Sequence, residues 1–369
     1  MLSVYYDFQI LLAQRYGGIS RYVYEVASRL PKFGAEAEIS CIHNHNHYFR
    51  DKFGLVDMSK SNKLLRLAEL GTYFYVNRVK TFFELKRRHY DIVHPTYYYA
   101  FKPKHGKFII TVHDMTHEKY SGIYPVNRRV IAAKKKMVHQ ADRIIAVSMN
   151  TKRDIIDYYP DVDPAKISVI HHGALGKMSV QEGKAESFSY MNGHDYILFV
   201  GMRGMYKNFA RFFEAVRPVL AGYKELHIFC AGGGAFTGQE HELFGEYASR
   251  VHQAGLSDSE LAAAYSNALC FVFPSEYEGF GIPILEAFAC GCPVVCSNTS
   301  SLPEVAGECA EYFDPVDIDG MSEAILRVIE DSALRQKLSK SGRERLKIFD
   351  WDKTAREHIA CYEEAISND

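Results

Sequence analysis

Long apolar runs are missing from the chain. Hydrophobic residues make up 47% of its 369 residues, yet no stretch reaches the eighteen or so consecutive apolar residues that a membrane-spanning helix needs. The N-terminus also lacks the basic region followed by an apolar core that marks a secretory signal. No spanning helix is predicted, and we expect the protein to remain in the cytoplasm.

Paired cysteine motifs are missing as well. Eight cysteines are present, but none belongs to a Cys-x-x-Cys pair and several fall inside apolar segments, as is typical of reduced core residues. Cys41, His43, His45 and His47 alternate and would share one face of a strand. Because no carboxylate or further ligand completes a metal site there, a strand entering a polar loop is the favoured interpretation. Neither a metal nor another cofactor is expected.

Neither half of the chain has a balance of positive and negative residues, although the net charge of the whole chain is only −1. Residues 1–180 carry 28 Lys and Arg against 16 Asp and Glu, a balance of +12, and the remainder has a balance of −13. The first half is therefore expected to attract an anionic partner. Nucleic acid is not among the predicted partners.

The G-x-G-x-x-G fingerprint and the P-loop are absent, so dinucleotide and kinase functions lose their main support. The length exceeds one ordinary core and suits two α/β domains. A polar segment without periodicity, residues 176–195, is predicted to link them. We predict one domain over residues 1–178, a second over 179–350, and a final amphipathic helix over 351–369.

One stretch, residues 271–298, predicts a complete βαβ unit. It begins in a short apolar run, 269–273, typical of a buried parallel strand, and its helix ends at Gly291. Between strand and helix lies a loop containing Gly279 and Gly281, whose flexible backbone can direct N–H groups at an anion. Open α/β sheets bind ligands at the carboxyl ends of their strands, so this loop is a predicted binding site.

Two carboxylates belong to this unit. Glu278 lies in the loop, and Glu286 lies in the first turn of a helix whose first residue is predicted to be Pro283. A carboxylate in a first turn interacts favourably with the helix dipole, so an isolated one is usually a solvated, mildly stabilising residue. The alternative interpretation is that both carboxylates bind a ligand.

The uninterrupted run EGFGIPILEAFACGCPVV, residues 278–295, resembles the signature of family 4 glycosyltransferases of the GT-B fold. This resemblance implies two Rossmann-like, doubly wound parallel-sheet domains facing each other across a donor and acceptor cleft, with the final helix crossing back to the first domain. It also implies that Glu278 contacts hydroxyls of the donor sugar and that Glu286 holds the nucleotide ribose. Backbone donors would come from the loop residues Gly279, Phe280 and Gly281.

Two further segments of the first half resemble the same family. Gly17 and Gly18 precede a helix with a predicted N-cap at Ser20. Such a pair is often only a turn, but it resembles the family's glycine loop, which implies that the Gly18 amide faces the donor diphosphate. A lone histidine is usually structural; however, His113 and Asp114 follow a predicted strand and resemble the pair whose histidine points at the donor sugar. We assign His113 to the site, with Asp114 orienting it.

Arg203 and Lys207 follow the predicted strand 196–200 and precede Asn208, a predicted N-cap. Each cation is unfavourable by about 0.3–1 kcal/mol beside a helix N-terminus unless an anion binds. They could be solvated loop cations. The segment also resembles the family loop whose Arg and Lys clamp the donor phosphates, although Arg203 stands two residues after Gly201 instead of directly after it.

Residues 52–90 contain nine Lys and Arg against three acidic residues, interleaved with aromatics and leucines. They could form a helical pair with solvated faces, or a basic amphipathic surface for an anionic membrane. The charge of the first half favours the membrane surface. Lys134, Lys135 and Lys136 lie on another predicted helix and are interpreted as its solvated face.

These features together predict a retaining, metal-independent glycosyltransferase that resembles bacterial mannosyltransferases of polysaccharide assembly. It would move a hexose from GDP-mannose or a UDP-sugar to a saccharide acceptor, expected to be lipid-linked, at the inner face of the cell membrane. Gly18, Arg203, Lys207 and helix dipoles would hold the diphosphate. A nucleotide-sugar epimerase of the same fold and a non-catalytic nucleotide-sugar binder are the alternatives.

Overall fold

The computed structural model describes residues 1–44, 46–49, 56–57, 65–123, 128–174, 189–191 and 193–367. Two compact units divide the chain: the first comprises Met1–Gly173 with Asp350–Asp369, and the second comprises Ala174–Phe349. The predicted boundary between residues 178 and 179 lies outside the described residues, as does most of the predicted linker.

Within the described residues, both units contain strands and helices. The strands are β1 (Leu2–Tyr6), β2 (Ala35–Ile39), β3 (His43–Asn44), β4 (Val56–Asp57), β5 (Ile92–Val93), β6 (Lys107–Val112), β7 (Arg143–Ala146), β8 (Ile167–Val169), β9 (Tyr196–Val200), β10 (His227–Ala231), β11 (Val251–Ala254), β12 (Cys270–Phe273), β13 (Val294–Ser297) and β14 (Ala310–Phe313). The α-helices are α1 (Gln9–Ala13), α2 (Gly18–Ala27), α3 (Leu65–Arg87), α4 (Thr116–Lys119), α5 (Arg128–Gln140), α6 (Met149–Tyr158), α7 (Phe209–Gly222), α8 (Gly238–Phe244), α9 (Asp258–Asn267), α10 (Ile282–Ala289), α11 (Leu302–Ala306), α12 (Ile318–Glu330), α13 (Ser332–Arg345) and α14 (Trp351–Ser367).

The first unit is built on a parallel sheet in the order β2-β1-β5-β6-β7-β8. Its strands are short, and Val4, Ile92 and Ile109 are completely buried in the core. The inner strands are apolar, as expected of strands buried on both faces, whereas the edge strand β2 carries Glu36 and Glu38. The α/β class predicted for this half is confirmed.

The second unit is a parallel sheet in the order β11-β10-β9-β12-β13-β14. Numbered within the unit, this is the order 3-2-1-4-5-6 of a doubly wound Rossmann sheet. The direction of winding reverses between β9 and β12, and a crevice for ligands opens where two such strands end. Both predicted ligand loops of this unit follow these two strands.

The final helix, α14, belongs to the first unit, where it packs on α2 and β6. Trp351 and Tyr362 on this helix join the buried core of that unit. The first unit is therefore formed by two separate segments of the chain, and the second unit lies between them in sequence.

Some local predictions need correction. Helix α2 begins at Gly18 with Gly17 as its N-cap, so Ser20 is inside the helix and does not cap it. The alternating histidines do not all lie on one strand, because β3 covers only two residues and His45 lies outside the described residues. Over the part of the chain that the structure describes, no helix combines the length and apolar character needed to cross a membrane.

Candidate functional site

The loop after β12 is held in one conformation by its neighbours. Gly281 has φ +111°, a left-handed conformation, and a side chain there would meet Leu302 Cδ2 at 3.0 Å. The Ser301 hydroxyl lies 2.9 Å from both the Glu278 and the Phe280 carbonyl oxygens, and the Glu278 amide donates to Ser300 Oγ at 3.0 Å. These contacts fix the backbone that carries Glu278.

The two serines were not identified as site residues from the sequence. They lie more than twenty residues after Glu278, in the turn that follows β13. Parallel pairing of β12 with β13 places the ends of both strands at one edge of the sheet, which brings the serines to the loop. A polar turn directly after the next strand is the signal that could have found them.

Lys207 and Glu278 meet at the switch point of the second sheet. The Lys207 ammonium lies 2.6 Å from Glu278 Oε1, and the two side chains are 18% and 14% exposed. A hydrogen bond from the Glu276 amide to the Tyr206 carbonyl, 2.8 Å long, joins their loops. An ion pair in such a poorly solvated crevice offers both a cation for phosphate and a carboxylate for hydroxyl groups.

Glu286 lies on α10, close to the same loop, and is half-buried. The helix begins at Ile282, so Glu286 is its fifth residue and not a member of the first turn. The predicted benefit from the helix dipole is therefore reduced, because that effect is confined to the first turn. The buried Tyr265 hydroxyl donates to Glu286 Oε2 at 3.3 Å, which orients the carboxylate.

Arg203 is not part of the Lys207 and Glu278 pair. Its Nε donates to Glu240 Oε1 at 2.5 Å, and its terminal nitrogens donate to the carbonyls of Gly232, Gly234 and Ala235 at 2.9–3.1 Å. The guanidinium side chain is only 4% exposed. Burial raises the pKa of Glu240, but its hydrogen bond with Arg203 holds that pKa below the ordinary value, so the pair is ionised.

The glycines that surround Arg203 explain this position. Gly232, Gly233 and Gly234 all have positive φ, between +74° and +85°. A backbone turned in this way can direct successive carbonyl groups at one cation. Arg203 thus holds the loop after β10 in place. Arg203 and Glu240 both line a groove of about 560 Å³.

His113 lies directly after β6 in the first unit and is partly buried. Burial lowers its pKa to about 4, so the imidazole is neutral at pH 7. Its ring lies parallel to the His172 ring, with centroids 6.0 Å apart, and nearly perpendicular to the Tyr22 ring, with centroids 5.0 Å apart. The adjacent Asp114 carboxylate accepts a hydrogen bond from the Thr116 amide at 3.0 Å.

Lys134 supports this histidine segment from behind, contrary to the sequence prediction of a solvated lysine. Its side chain is fully buried, and its ammonium donates to Glu118 Oε2 at 2.8 Å and to the Asp114 carbonyl at 2.9 Å. Burial raises the pKa of Asp114, but the charge of Lys134 holds it below its ordinary value. The buried cation therefore keeps Asp114 ionised and holds the backbone beside His113.

Gly18 is the exposed first residue of α2. At Gly17, a side chain would meet the Gln14 side-chain amide at 2.3 Å, so a larger residue there would displace the end of the Gln14 side chain. The Gln14 side chain in turn accepts from the Ser20 amide at 3.1 Å. Gly17 thus lets the chain pass closely over Gln14, whose side chain binds one amide of the first helical turn, and Gly18 itself stays exposed.

Two family models match the chain. The family 4 glycosyltransferase model matches residues 16–174, and the glycosyl transferases group 1 model matches residues 184–345. The chain is 28% identical over 270 residues to O-antigen chain mannosyltransferase B of Escherichia coli, covering 69% of each chain. It is 40% identical over 122 residues to MMP alpha-(1->4)-mannosyltransferase of Mycolicibacterium hassiacum, covering 32% of this chain and 30% of that protein.

Solved structures confirm the fold. Sucrose-phosphate synthase from Thermosynechococcus elongatus superposes with a TM-score of 0.72 at 21% identity, covering 100% of both chains. The predicted GT-B class agrees with this likeness and with the parallel six-stranded sheet in each unit. Together with the two family models, these similarities show that the chain is a glycosyltransferase of the GT-B fold, with a family 4 domain followed by a group 1 domain.

Proposed function

We propose that this glycosyltransferase moves a hexose from a nucleotide-diphosphate sugar, GDP-mannose or a UDP-sugar, to a saccharide acceptor with retention of anomeric configuration. The observation that carries the proposal is the contact between Lys207 and Glu278 at the switch point of the second sheet. The two mannosyltransferase relatives support mannose as the transferred sugar and a growing polysaccharide as the acceptor.

The ion pair suits a donor that carries both phosphate and hydroxyl groups. A lysine ammonium has three N–H donors, and the described contacts assign one of them to Glu278. The others are available to the diphosphate, together with the positive end of α7, which begins two residues later. Glu278 would accept from sugar hydroxyls, with backbone donors from Gly279 to Gly281, and Glu286 would accept from the ribose hydroxyls.

Two of the remaining predicted site residues, Gly18 and His113, belong to the first unit, and Arg203 belongs to the second. The amide of Gly18 would bind the diphosphate, and neutral His113 would hydrogen-bond the sugar. Arg203 would act indirectly, by holding the glycine loop in place through the contacts described above.

In the proposed reaction, the acceptor oxygen bonds to the anomeric carbon on the face from which the diphosphate leaves. The bond from that carbon to the phosphate oxygen breaks, and the acceptor proton passes to the leaving phosphate. Negative charge grows on the diphosphate during this step, and Lys207 stabilises it. Because Lys207 and the positive end of α7 would stabilise the charge on the leaving diphosphate without a divalent ion, we propose metal-independent transfer.

The test is a transfer assay in EDTA with GDP-mannose and UDP-sugars, each with and without a saccharide acceptor. We expect acceptor-dependent product with the donor's anomeric configuration, read from the coupling constant by NMR. Glu286→Ala should weaken nucleotide binding, whereas Glu278→Gln should lower kcat and leave nucleotide affinity nearly unchanged. Isomerised donor in the absence of acceptor would indicate an epimerase. Nucleotide-sugar binding without turnover would indicate a non-catalytic protein. Loss of activity in EDTA would refute metal independence.

We also propose that the first unit attaches to an anionic membrane, where a lipid-linked acceptor would be reached. Helix α3 exposes Tyr75, Phe82 and Phe83, which are 69%, 48% and 46% exposed. Arg87 lies over the Phe83 ring at 5.5 Å, so a cation and an aromatic group share this surface. Aromatic and basic side chains on one exposed helix are the combination that favours the membrane interface.

Vesicles test this attachment. Each Lys or Arg near an anionic surface contributes about 1 kcal/mol, so replacing Lys86 and Arg87 by serine should weaken binding to anionic liposomes at low salt by roughly 10- to 30-fold. Lys135→Ser with Lys136→Ser, on the exposed face of α5, removes equal charge and is the matched control. If the unmodified protein ignores anionic liposomes at low salt, the acceptor is better sought among soluble saccharides.

A further inference from the structure

Seven hydrogen-bonding residues from five segments of the chain form one row inside the first unit. The row contains Tyr6 of β1, Tyr22 of α2, His94 after β5, Thr111 of β6, and Thr354, His358 and Tyr362 of α14. Each of these residues is at most 6% exposed. One end of the row is the Thr354 backbone carbonyl on the final helix. Starting from that acceptor, the donor and the acceptor of each hydrogen bond in the row can be assigned.

The end that fixes the order is a backbone carbonyl. His358 Nδ1 lies 2.7 Å from the Thr354 carbonyl oxygen, which can only accept, so Nδ1 carries a proton. Burial lowers the pKa of His358 to about 4, so the ring is neutral and Nε2 has no proton. The Tyr22 hydroxyl, 2.5 Å from Nε2, must therefore donate to it.

The remaining bonds follow in turn, because a hydroxyl donates only one proton. Thr111 donates to Tyr22 at 2.8 Å, and His94 Nε2 donates to Thr111 at 2.9 Å. Burial also lowers the pKa of His94, so its Nδ1 is unprotonated and accepts from Tyr362 at 2.7 Å. Tyr6 then donates to Tyr362 at 2.9 Å. Every bond in the row therefore points from Tyr6 towards His358 and the Thr354 carbonyl.

Tyr22 connects this row to His113. The Tyr22 ring is nearly perpendicular to the rings of His113 and His172, with centroids 5.0 Å apart in both pairs and interplanar angles of 85° and 84°. The two imidazoles are parallel to within 2°. The tyrosine ring therefore lies against both histidines, and its own rotation is fixed by the bonds to Thr111 and His358.

We infer that Tyr22 and His358 are positioning residues for transfer: the final helix, through His358, holds Tyr22 in the orientation that aims the His113 imidazole at the donor sugar. This inference rests on the role proposed above for His113. A histidine that hydrogen-bonds a sugar needs one defined ring orientation, because a misplacement of about 1 Å can cost on the order of a hundredfold in rate.

The proton order can be tested without any activity measurement. Nitrogen-15 NMR of the histidine rings at pH 7 should show His358 protonated at Nδ1 and His94 protonated at Nε2, with the signals assigned from His358→Gln and His94→Gln. The opposite tautomer at either ring, or a protonated imidazolium, would overturn the row and the inference with it.

Activity tests the connection to His113. Tyr22→Phe keeps the ring but leaves His358 Nε2 without a donor, so kcat should fall on the order of tenfold with the donor KM nearly kept. Tyr6→Phe removes the same group from the first position of the row and should retain nearly full kcat. Unchanged Trp351 fluorescence would establish that both variants are folded.

The two proposals fail separately. Full activity of Tyr22→Phe beside inactive His113→Ala would overturn the positioning role and leave the proposed function standing. Full activity of His113→Ala would overturn the site assignment of His113, and the positioning role with it.

Discussion

Replacing Lys207 by alanine is expected to lower kcat/KM for transfer by about 10²–10³-fold, as removal of one preorganised donor to a developing anion does. The reason is the position of the ammonium in a poorly solvated crevice, 2.6 Å from Glu278 and at the carboxyl edge of the sheet. There it would meet the charge on the leaving diphosphate, and solvent would not replace it effectively. Initial rates at several donor concentrations measure the effect.

Arg211→Ala is the matched control for this variant. Arg211 also pairs with a glutamate of the same loop, Glu276, at 2.5 Å, but its side chain is 42% exposed. An exposed ion pair contributes about 0–1 kcal/mol, so the control should keep nearly normal kcat/KM. Equal losses in the two variants would contradict a specific role for Lys207 in stabilising the leaving group.

Acidification from pH 7 to pH 5 is expected to unfold the first unit. Burial lowers the pKa of four of its histidines, His94, His113, His172 and His358, below their ordinary value of 6.5. Below pH 6.5 the unfolded chain therefore binds protons that the folded unit does not. Each such histidine lowers the free energy of unfolding by about 1.4 kcal/mol for every pH unit below 6.5, down to its pKa in the folded unit. For His113 and His358 the loss continues until pH about 4.

At pH 5 His113 and His358 together lower the free energy of unfolding by roughly 4 kcal/mol, and His94 and His172 act in the same direction, against the 5–15 kcal/mol that stabilises a typical domain. Trp351 is the only tryptophan of the chain, is 5% exposed and belongs to the first unit, so its fluorescence reports this unit. His358→Gln should reduce the steepness of the transition by one proton. An emission maximum that stays constant from pH 7 to pH 5 would show that the buried histidines tolerate their charge.

The sequence predicts the unit around Glu278 well because its signals are local. The apolar run ends at Phe273, Gly281 takes the left-handed conformation, and Gly291, with φ +69°, follows the last turn of α10. The start of α9 is equally local, because Ser257 and Glu260 form a capping box across three residues. In each case the residues that decide the conformation lie within a few positions of it.

Lys134 and Arg203 were harder to predict because their partners are distant in sequence. A lysine in a helix is normally solvated, and only the buried carboxylate of Glu118 makes full burial of Lys134 tolerable. Likewise, Glu240 is 37 residues from Arg203 and determines where its guanidinium points. Helical periodicity and loop position do not contain these contacts.

The same limit applies to the buried row, in which Tyr22 and His358 are separated by 336 residues. Neither residue belongs to a motif, and both fit an ordinary apolar helix face. Asn208 is the N-cap residue of α7, as predicted, but its side chain donates to the Pro315 carbonyl and does not cap the helix. For Asn208, as for Tyr22 and His358, a hydrogen bond to a residue distant in sequence determines where the side chain points.

The return of the final helix to the first unit has a consequence during synthesis on the ribosome. Residues 174–349 are made between the two segments of that unit, which takes about 9–35 s at 5–20 residues per second. The second unit is contiguous and can fold as soon as it emerges, while the first still exposes the apolar surface of α2 that α14 will cover. Nascent chains should accordingly bind chaperones through their N-terminal portion and gain protease resistance there last.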